Sequence, residues 1–225
     1  MTPWTLLGTA NIPNNGGELK LTQRDQEFSI HLKGARGELM NSRMRCSERA
    51  LADLGCAHIK NVENAKVLVG GLGMGFTLEA ALKVTTQSSE VIVAELVPEV
   101  VEWNKGPLGD CAERPLDNPR TSVHLGDVAV LFKPKKPTYD AVLLDVDNGP
   151  EGFTQSKNDS LYSIKSLKAI HDSLNKQGVL AVWSAWFDEK FSAQLRKSGF
   201  KVTHETVRAH MGKGSRHTIY LAIKN

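Results

Sequence analysis

AKVLVGGLGMGFTLEAALKV, residues 65 to 84, is the stretch that decides the fold. AKVLVGG is a continuous apolar run that predicts a buried strand, and FTLEAALKV has a helical pattern. Gly71, Gly73 and Gly75 lie between the two. Glycines at such a junction let the backbone turn tightly and approach a ligand at the positive N-terminus of the helix. The stretch therefore predicts a strand, a ligand-binding turn and a helix.

The alternation of strands and helices continues to the C-terminus. Strands are predicted at EVIVAEL, TSVHLGD, YDAVLLDVD and GVLAVWSA, and helices at PEVVEWNK, SIKSLKAIHDSLNKQG and DEKFSAQLRKSG. This pattern is typical of a parallel sheet covered by helices on both faces. The last two strands, FKVTHETVRA and HTIYLAIK, are too close in sequence for a parallel crossover. We predict an α/β, Rossmann-like sheet of seven mostly parallel strands that ends in an antiparallel hairpin.

The N-terminal part follows a different pattern. ELKLTQRDQEFSIHLKG alternates apolar and polar residues and predicts a small β-hairpin or meander, and a helix is predicted from Ser47 to Leu54, closed by Gly55. We therefore expect an N-terminal β-hairpin appendage with a linking helix at residues 1–60. Residues 61–225 are expected to form the Rossmann-like catalytic domain.

Composition and charge exclude several classes of protein. With 40% hydrophobic and 24% charged residues, the chain resembles a soluble globular protein, and no apolar run approaches the roughly 18 residues that a membrane helix needs. The start has no features of a secretory signal, so we expect a cytoplasmic protein without a membrane partner. The three cysteines lack metal-ligand spacing, and no metal is expected. A net charge of +3 with one short basic cluster argues against a nucleic-acid partner.

Two acids follow the second and third predicted strands. Glu95 ends the second strand, where a carboxylate can accept both hydroxyls of a ribose. Asp127 follows the third strand and could accept from an adenine amine. Either acid could instead simply cap a helix.

The ligand could be a dinucleotide or an adenosyl sulfonium donor. The G-x-G-x-G spacing departs from the dinucleotide pattern, and with the terminal hairpin it favours the donor and the class I methyltransferase fold.

Five segments together resemble the spermidine synthase family, and in particular its short bacterial spermidine synthase-like members. They are VLVGGLGMG, VIVAELVPEVVEW, HLGDV, YDAVLLDVDNGP and KQGVLAVWSA. The resemblance extends over roughly residues 18–225. It implies the class I methyltransferase fold and transfer of an aminopropyl group from decarboxylated S-adenosylmethionine to an amine, with release of methylthioadenosine.

The resemblance also implies roles for single residues. The three glycines would flank the sulfonium side of the donor, Glu95 would hold its ribose, and Asp127 would bind its adenine amine. Asp145 matches the aspartate that orients and deprotonates the attacking amine, which suits a carboxylate at the edge of the sheet. Asp147 and Asn148 would line the acceptor site. Apart from the resemblance, Trp183, Ser184 and Trp186 lie at the tip of the fifth strand and could wall the acceptor pocket, and Trp186 is the residue expected to do so.

Three features differ from the family pattern. Gly73 stands where the family loop usually has an aspartate. Asn148 stands where a second acid is usual, with Asp147 beside it and Gly149-Pro150 in place of the usual proline turn. The family's Tyr-Gln pair is not found near Ser47-Glu48-Arg49. These differences leave a second reaction open: methyl transfer from S-adenosylmethionine, whose carboxylate a loop aspartate would repel. A third possibility is a nucleoside-binding module without catalysis.

The acceptor is expected to be an amine or another small molecule. Relatives of the family suggest a homodimer.

Overall fold

The computed structural model describes residues 2–13, 15–34, 38–133, 136–146, 161–210 and 213–225. Its first sheet is antiparallel with strands in the order β1-β2-β3-β4. These strands are β1 (Thr5–Ile12), β2 (Gly17–Arg24), β3 (Glu27–Leu32) and β4 (Met40–Asn41). The predicted hairpin corresponds to β2 and β3, whereas β1 and β4 were not predicted. β1 carries a register shift and mostly exposed residues, so its sequence lacks the regular alternation of a strand with one buried face.

Helices and strands then alternate as predicted. The elements are α1 (Cys46–Gly55), β5 (Lys66–Gly70), α2 (Phe76–Val84), β6 (Glu90–Glu95), α3 (Pro98–Lys105), β7 (Thr121–Leu125), β8 (Tyr139–Leu144), α4 (Ile164–Ser173), β9 (Leu174–Ser184), α5 (Glu189–Lys197), β10 (Phe200–His210) and β11 (Lys213–Lys224). Local chemistry sets several ends. Pro98 occupies the first turn of α3. Asp188 caps α5 by accepting from the backbone N–H of Lys190.

One predicted boundary is wrong. SIKSLKAIHDSLNKQG was expected to be helical throughout, but α4 ends at Ser173 and β9 begins at Leu174. Leu174 is fully buried and pairs with Tyr139 of β8. The Asn175 amide also donates to the carboxylate of Asp140 over 2.7 Å. Pairing with β8 therefore outweighs the local helical pattern in these residues.

The larger sheet, as far as the described residues show it, has seven strands in the order β10-β11-β9-β8-β5-β6-β7. Strands β5 to β9 are parallel, whereas β11 pairs antiparallel with both β9 and β10. This confirms the predicted class of fold. β5 has β6 on one side and β8 on the other, so the chain order reverses there. In open α/β sheets, ligands bind at the carboxyl ends of the strands beside such a reversal.

Both faces of the larger sheet are covered, which explains its apolar strands. Leu143 and Leu144 of β8 are both fully buried and belong to different core clusters, one on each face. α1 packs closely on the sheet, since a Cβ added at Gly55 would lie 2.4 Å from the Leu143 side chain. The predicted division of the chain near residue 60 stays a prediction. No helix in the described ranges is long and apolar enough to cross a membrane.

Candidate active site

A cavity of about 510 Å³ lies at the carboxyl ends of the parallel strands. This volume is within the roughly 300 to 1,000 Å³ that small-molecule sites occupy. Its floor comes from the segments that follow β5, β6, β7 and β8. Residues of the N-terminal sheet, including Ile30 and Met40, line it from another side, together with Ser47 and Glu48 of α1. The N-terminal part of the chain thus contributes to the same cavity as the sheet.

The glycine loop needs glycine at defined positions. Gly71 has a φ of +92°, and a Cβ there would lie 2.3 Å from the backbone oxygen of Asp145. Gly75 has a φ of +84° and directly precedes α2. The Asn104 amide donates to the Gly73 carbonyl over 2.8 Å and holds the loop between these two. Gly71 and Gly73 line the cavity, whereas Gly75 shapes the loop without lining it.

Glu95 is held rigidly at the end of β6. One carboxylate oxygen accepts from the backbone N–H of Leu72 and the other from that of Val97, each over 2.9 Å. The residue is only 8% exposed, and burial raises its pKa. The backbone N–H groups of Leu96 and Gly73 also act on this carboxylate and favour its charged form. Glu95 lines the cavity, so its geometry is compatible with the predicted contact to two ribose hydroxyls.

Asp127 follows β7 and also lines the cavity. Its carboxylate accepts from the backbone N–H of Ala129 over 2.8 Å and caps the short 3₁₀ helix Val128–Phe132. The capping role considered for this residue is therefore present. Because the side chain is exposed and its second oxygen is not engaged by that cap, contact with a ligand's amine stays a prediction.

Asp145 lies directly beyond β8, beside the glycine loop. Its backbone N–H donates to the Gly70 carbonyl over 2.9 Å. Its Oδ2 accepts from the Thr77 hydroxyl of α2 over 2.6 Å. Part of its surface is open to the cavity, and protein encloses the rest. This burial raises the pKa of the carboxyl to about 6, although the bond from Thr77 acts in the opposite direction. The carboxylate can therefore accept a proton close to neutral pH.

Only part of the predicted acceptor site lies within the described residues. Asp147 and Asn148 lie outside the described residues. Trp186 is 42% exposed and is absent from the described lining of the cavity, whereas Trp183 is part of it. β9 ends at Ser184, so Trp183 still has the regular side-chain direction of a strand and Trp186 does not. The Trp183 ring packs against His217 of β11, with 4.7 Å between ring centroids.

Two cavity residues were not recognised from the sequence. Glu48 is in the first turn of α1, where an acid is common for helix stability alone. Its carboxylate accepts from the Ser47 hydroxyl over 2.7 Å, and burial together with the charge of Asp145 raises its pKa to about 7. Met40 packs on the glycine loop, since a Cβ at Gly73 would lie 3.1 Å from its sulfur. Neither the interaction of Glu48 with Asp145 nor the packing of Met40 on Gly73 has a local sequence signal, because each joins segments that are distant in the chain.

The cavity is strongly acidic. Among the described residues, five carboxylates line it and no lysine or arginine does. The carboxylates are Glu38, Glu48, Glu95, Asp127 and Asp145. Such a lining attracts cations and disfavours ligands with a free carboxylate. In the described part of the chain, no group of three or more histidine, cysteine or acidic side chains is arranged to hold a metal ion.

Comparison with known proteins gives the family. The model of the spermine/spermidine synthase domain matches residues 45–211, about three quarters of the chain. The chain belongs to this family. The matched range contains the glycine loop, Glu95, Asp127 and Asp145, and it begins three residues before Glu48. Membership confirms the predicted family and the transferase class.

Solved structures agree with this assignment. A spermidine synthase in complex with the transition-state analogue AdoDATO matches with a TM-score of 0.73 at 18% identity, and the spermidine synthase from Thermotoga maritima with 0.74 at 17%. Each match covers 98% of this chain and 72% of the other. At this identity the likeness shows the fold. No curated protein sequence matches the chain.

Proposed function

We propose that the chain is an aminopropyltransferase that moves an aminopropyl group from decarboxylated S-adenosylmethionine to an amine. The observation that carries the proposal is the acidic lining of the cavity: five acidic side chains, of which Glu38 is paired with Arg43, and, in the described lining, no lysine or arginine. Both proposed substrates are cations, one a sulfonium with an amine and the other an ammonium. The family supports the same reaction.

The residues present fit such a donor. Glu95 presents two oriented oxygens for the ribose hydroxyls, and Asp127 has an oxygen available for an adenine amine. Gly71 and Gly73 allow the backbone to approach the sulfonium side. When bound, the donor supplies an electrophilic carbon next to its positively charged sulfur.

Asp145 is proposed to act on the acceptor. An ammonium has no free electron pair, so one proton must leave before attack. The Asp145 carboxylate, with its pKa raised to about 6, accepts that proton. The nitrogen then forms a bond to carbon, the carbon–sulfur bond breaks, and its electron pair stays on sulfur. Methylthioadenosine and a protonated secondary amine are the products, and Asp145 returns its proton to water.

Methyl transfer is the second candidate, and one observation favours it. Gly73 has no carboxylate that would repel the carboxylate of S-adenosylmethionine, and Met40 packs over that position instead. Ordinary S-adenosylmethionine, however, brings a carboxylate into a cavity whose described lining has no lysine or arginine. This charge makes aminopropyl transfer the better supported reaction.

The test supplies the protein with each sulfonium donor and a panel of linear diamines and polyamines. Mass spectrometry measures methylthioadenosine and S-adenosylhomocysteine. We expect methylthioadenosine with the decarboxylated donor, and loss of its formation in Asp145→Asn. S-adenosylhomocysteine as the sole product would establish methyl transfer. Donor binding without product from any acceptor would identify a nucleoside-binding module.

A further inference from the structure

Glu48 has no part in the proposed mechanism, yet it faces the same cavity as Asp145. It lies 97 positions before Asp145 in the chain and comes from a different element, the first turn of α1. Thr77 connects the two: its hydroxyl is 2.6 Å from Oδ2 of Asp145 and 3.4 Å from the backbone oxygen of Glu48. Thr77 thus holds Asp145 and the backbone of α1 at Glu48 beside each other, and both side chains line the one cavity.

Three basic side chains of the surrounding segments form ion pairs with acids other than Glu48 and Asp145. Arg49 of α1 donates to Glu79 over 3.1 Å, and Lys83 also binds Glu79. Arg43 pairs with Glu38 over 3.3 Å. The titratable side chains that share the described cavity lining with Glu48 are Glu38, Glu95, Asp127, Asp145 and His217. Burial lowers the pKa of His217, which leaves it neutral at pH 7 and unable to compensate the acids.

A pair of enclosed carboxylates without a basic partner cannot remain doubly ionised at low cost. Burial and a nearby like charge both favour the protonated form of a carboxyl group. Burial, and after it the charge of Asp145, raises the pKa of Glu48 to about 7. In the described surroundings, the second negative charge can therefore be neutralised by a proton or by a cation that enters the cavity.

We propose that Glu48 is a second carboxylate of the amine site, and that it gives up its proton to water when a protonated amine binds between it and Asp145. This inference rests on the proposed function, because it assigns the amine to this cavity. It makes Glu48 a determinant of specificity for cationic acceptors. Asp145 remains the group that accepts the proton of the amine before attack.

Binding of the amine should be coupled to the release of a proton from Glu48. An amine that binds to the ionised pair must displace a proton from the empty protein. With a pKa of about 7, Glu48 holds roughly half a proton at pH 7, so amine binding should release roughly that amount. If Glu48 did not contact the amine, the release would be far smaller, because Asp145, with a pKa of about 6, is already mostly ionised at pH 7.

Calorimetry measures this release. The protein is saturated with methylthioadenosine, which cannot react, and is titrated with 1,4-diaminobutane in two buffers of different ionisation enthalpy. We expect roughly half a proton released per amine by the wild type at pH 7 and almost none by Glu48→Gln. The affinity of the variant should fall by about 10-fold or more, since a charged hydrogen-bond partner is lost. Glu48→Asp should recover part of both.

Two controls keep the outcomes separate. Glu102→Gln makes the same chemical change at an exposed site on α3 and should leave proton release and affinity unchanged. Circular dichroism checks the fold of Glu48→Gln. Unchanged proton release or affinity in Glu48→Gln would overturn the role of Glu48, even with normal product formation in the wild type. Absence of product from the wild type with every amine would instead refute the proposed function.

Discussion

Replacement of Asp145 by asparagine should make the protein more stable and inactive at the same time. Burial raises the pKa of Asp145 from 3.8 to about 6. Because the folded pKa exceeds the unfolded one, the native protein binds more protons than the unfolded chain between about pH 4 and pH 6, and its stability falls as the pH rises through that window. At about 1.4 kcal/mol per unit, the charge costs at most about 3 kcal/mol above pH 6.

Asparagine keeps the shape of the side chain and can still accept from the Thr77 hydroxyl. We therefore expect the free energy of unfolding of Asp145→Asn to exceed that of the wild type by about 1 to 3 kcal/mol at pH 8 and to match it near pH 3.5. Urea denaturation followed by tryptophan fluorescence measures both values. Asp172→Asn is the matched control, because Asp172 has a side chain that is 81% exposed on α4.

The rate of the transfer reaction should fall in Asp145→Asn, although its stability rises. Loss of a proton acceptor at the reacting amine typically costs about 10²- to 10⁴-fold in rate. Methylthioadenosine affinity should stay within about 3-fold, since Glu95 and the glycine loop are untouched. Turnover of Asp145→Asn at the wild-type rate would refute the role of Asp145 as proton acceptor, and a stability at pH 8 no greater than that of the wild type would refute the cost of its buried charge.

Three further predictions concern the surroundings of Asp145. Glu95→Gln turns an amide N–H₂ towards a backbone N–H, so calorimetry should show methylthioadenosine binding about 10- to 100-fold weaker; wild-type affinity would contradict the ribose role. Gly71→Ala should lose about 3 kcal/mol or more in urea denaturation, because its Cβ meets backbone 2.3 Å away, whereas Gly34→Ala, with a similar φ but open space, should lose far less. Thr77→Val removes the bond that lowers the pKa of Asp145, so the acid limb of the pH profile of kcat/KM should move up by about one unit. An unmoved limb would show that another group sets it.

Much of the fold could be read from local patterns. The order of strands and helices, the glycine turn and the terminal hairpin depend on periodicity and spacing within short segments. The end of α4 could not be predicted, because Leu174 satisfies a helical pattern as well as a strand that pairs with Tyr139. β1 was missed because most of its residues are exposed and one register shift interrupts their alternation.

In the candidate site, too, local patterns predict some residues, whereas others depend on how distant segments pack. Gly71, Glu95 and Asp145 follow parallel strands, whose carboxyl ends meet at one edge, so a sequence pattern can place them together. Glu48 reaches the cavity only because α1 packs on the sheet beside α2. The choice between Trp183 and Trp186 depends on where β9 ends, which sequence patterns locate poorly.

The position of Glu48 in the cavity gives the N-terminal segment a role in the proposed amine site. Ile30 and Met40 of the N-terminal sheet line the cavity, and Met40 packs on the loop at Gly73. Because the same segment leads into α1, a displacement of this sheet would move Met40 and could shift Glu48 relative to Asp145. The loop position without an acid, Gly73, and the acid at Glu48 are thus connected through one piece of chain. The negative charge of the amine site is supplied from this segment as well as from the edge of the larger sheet, so recognition of the acceptor depends on how the two parts pack.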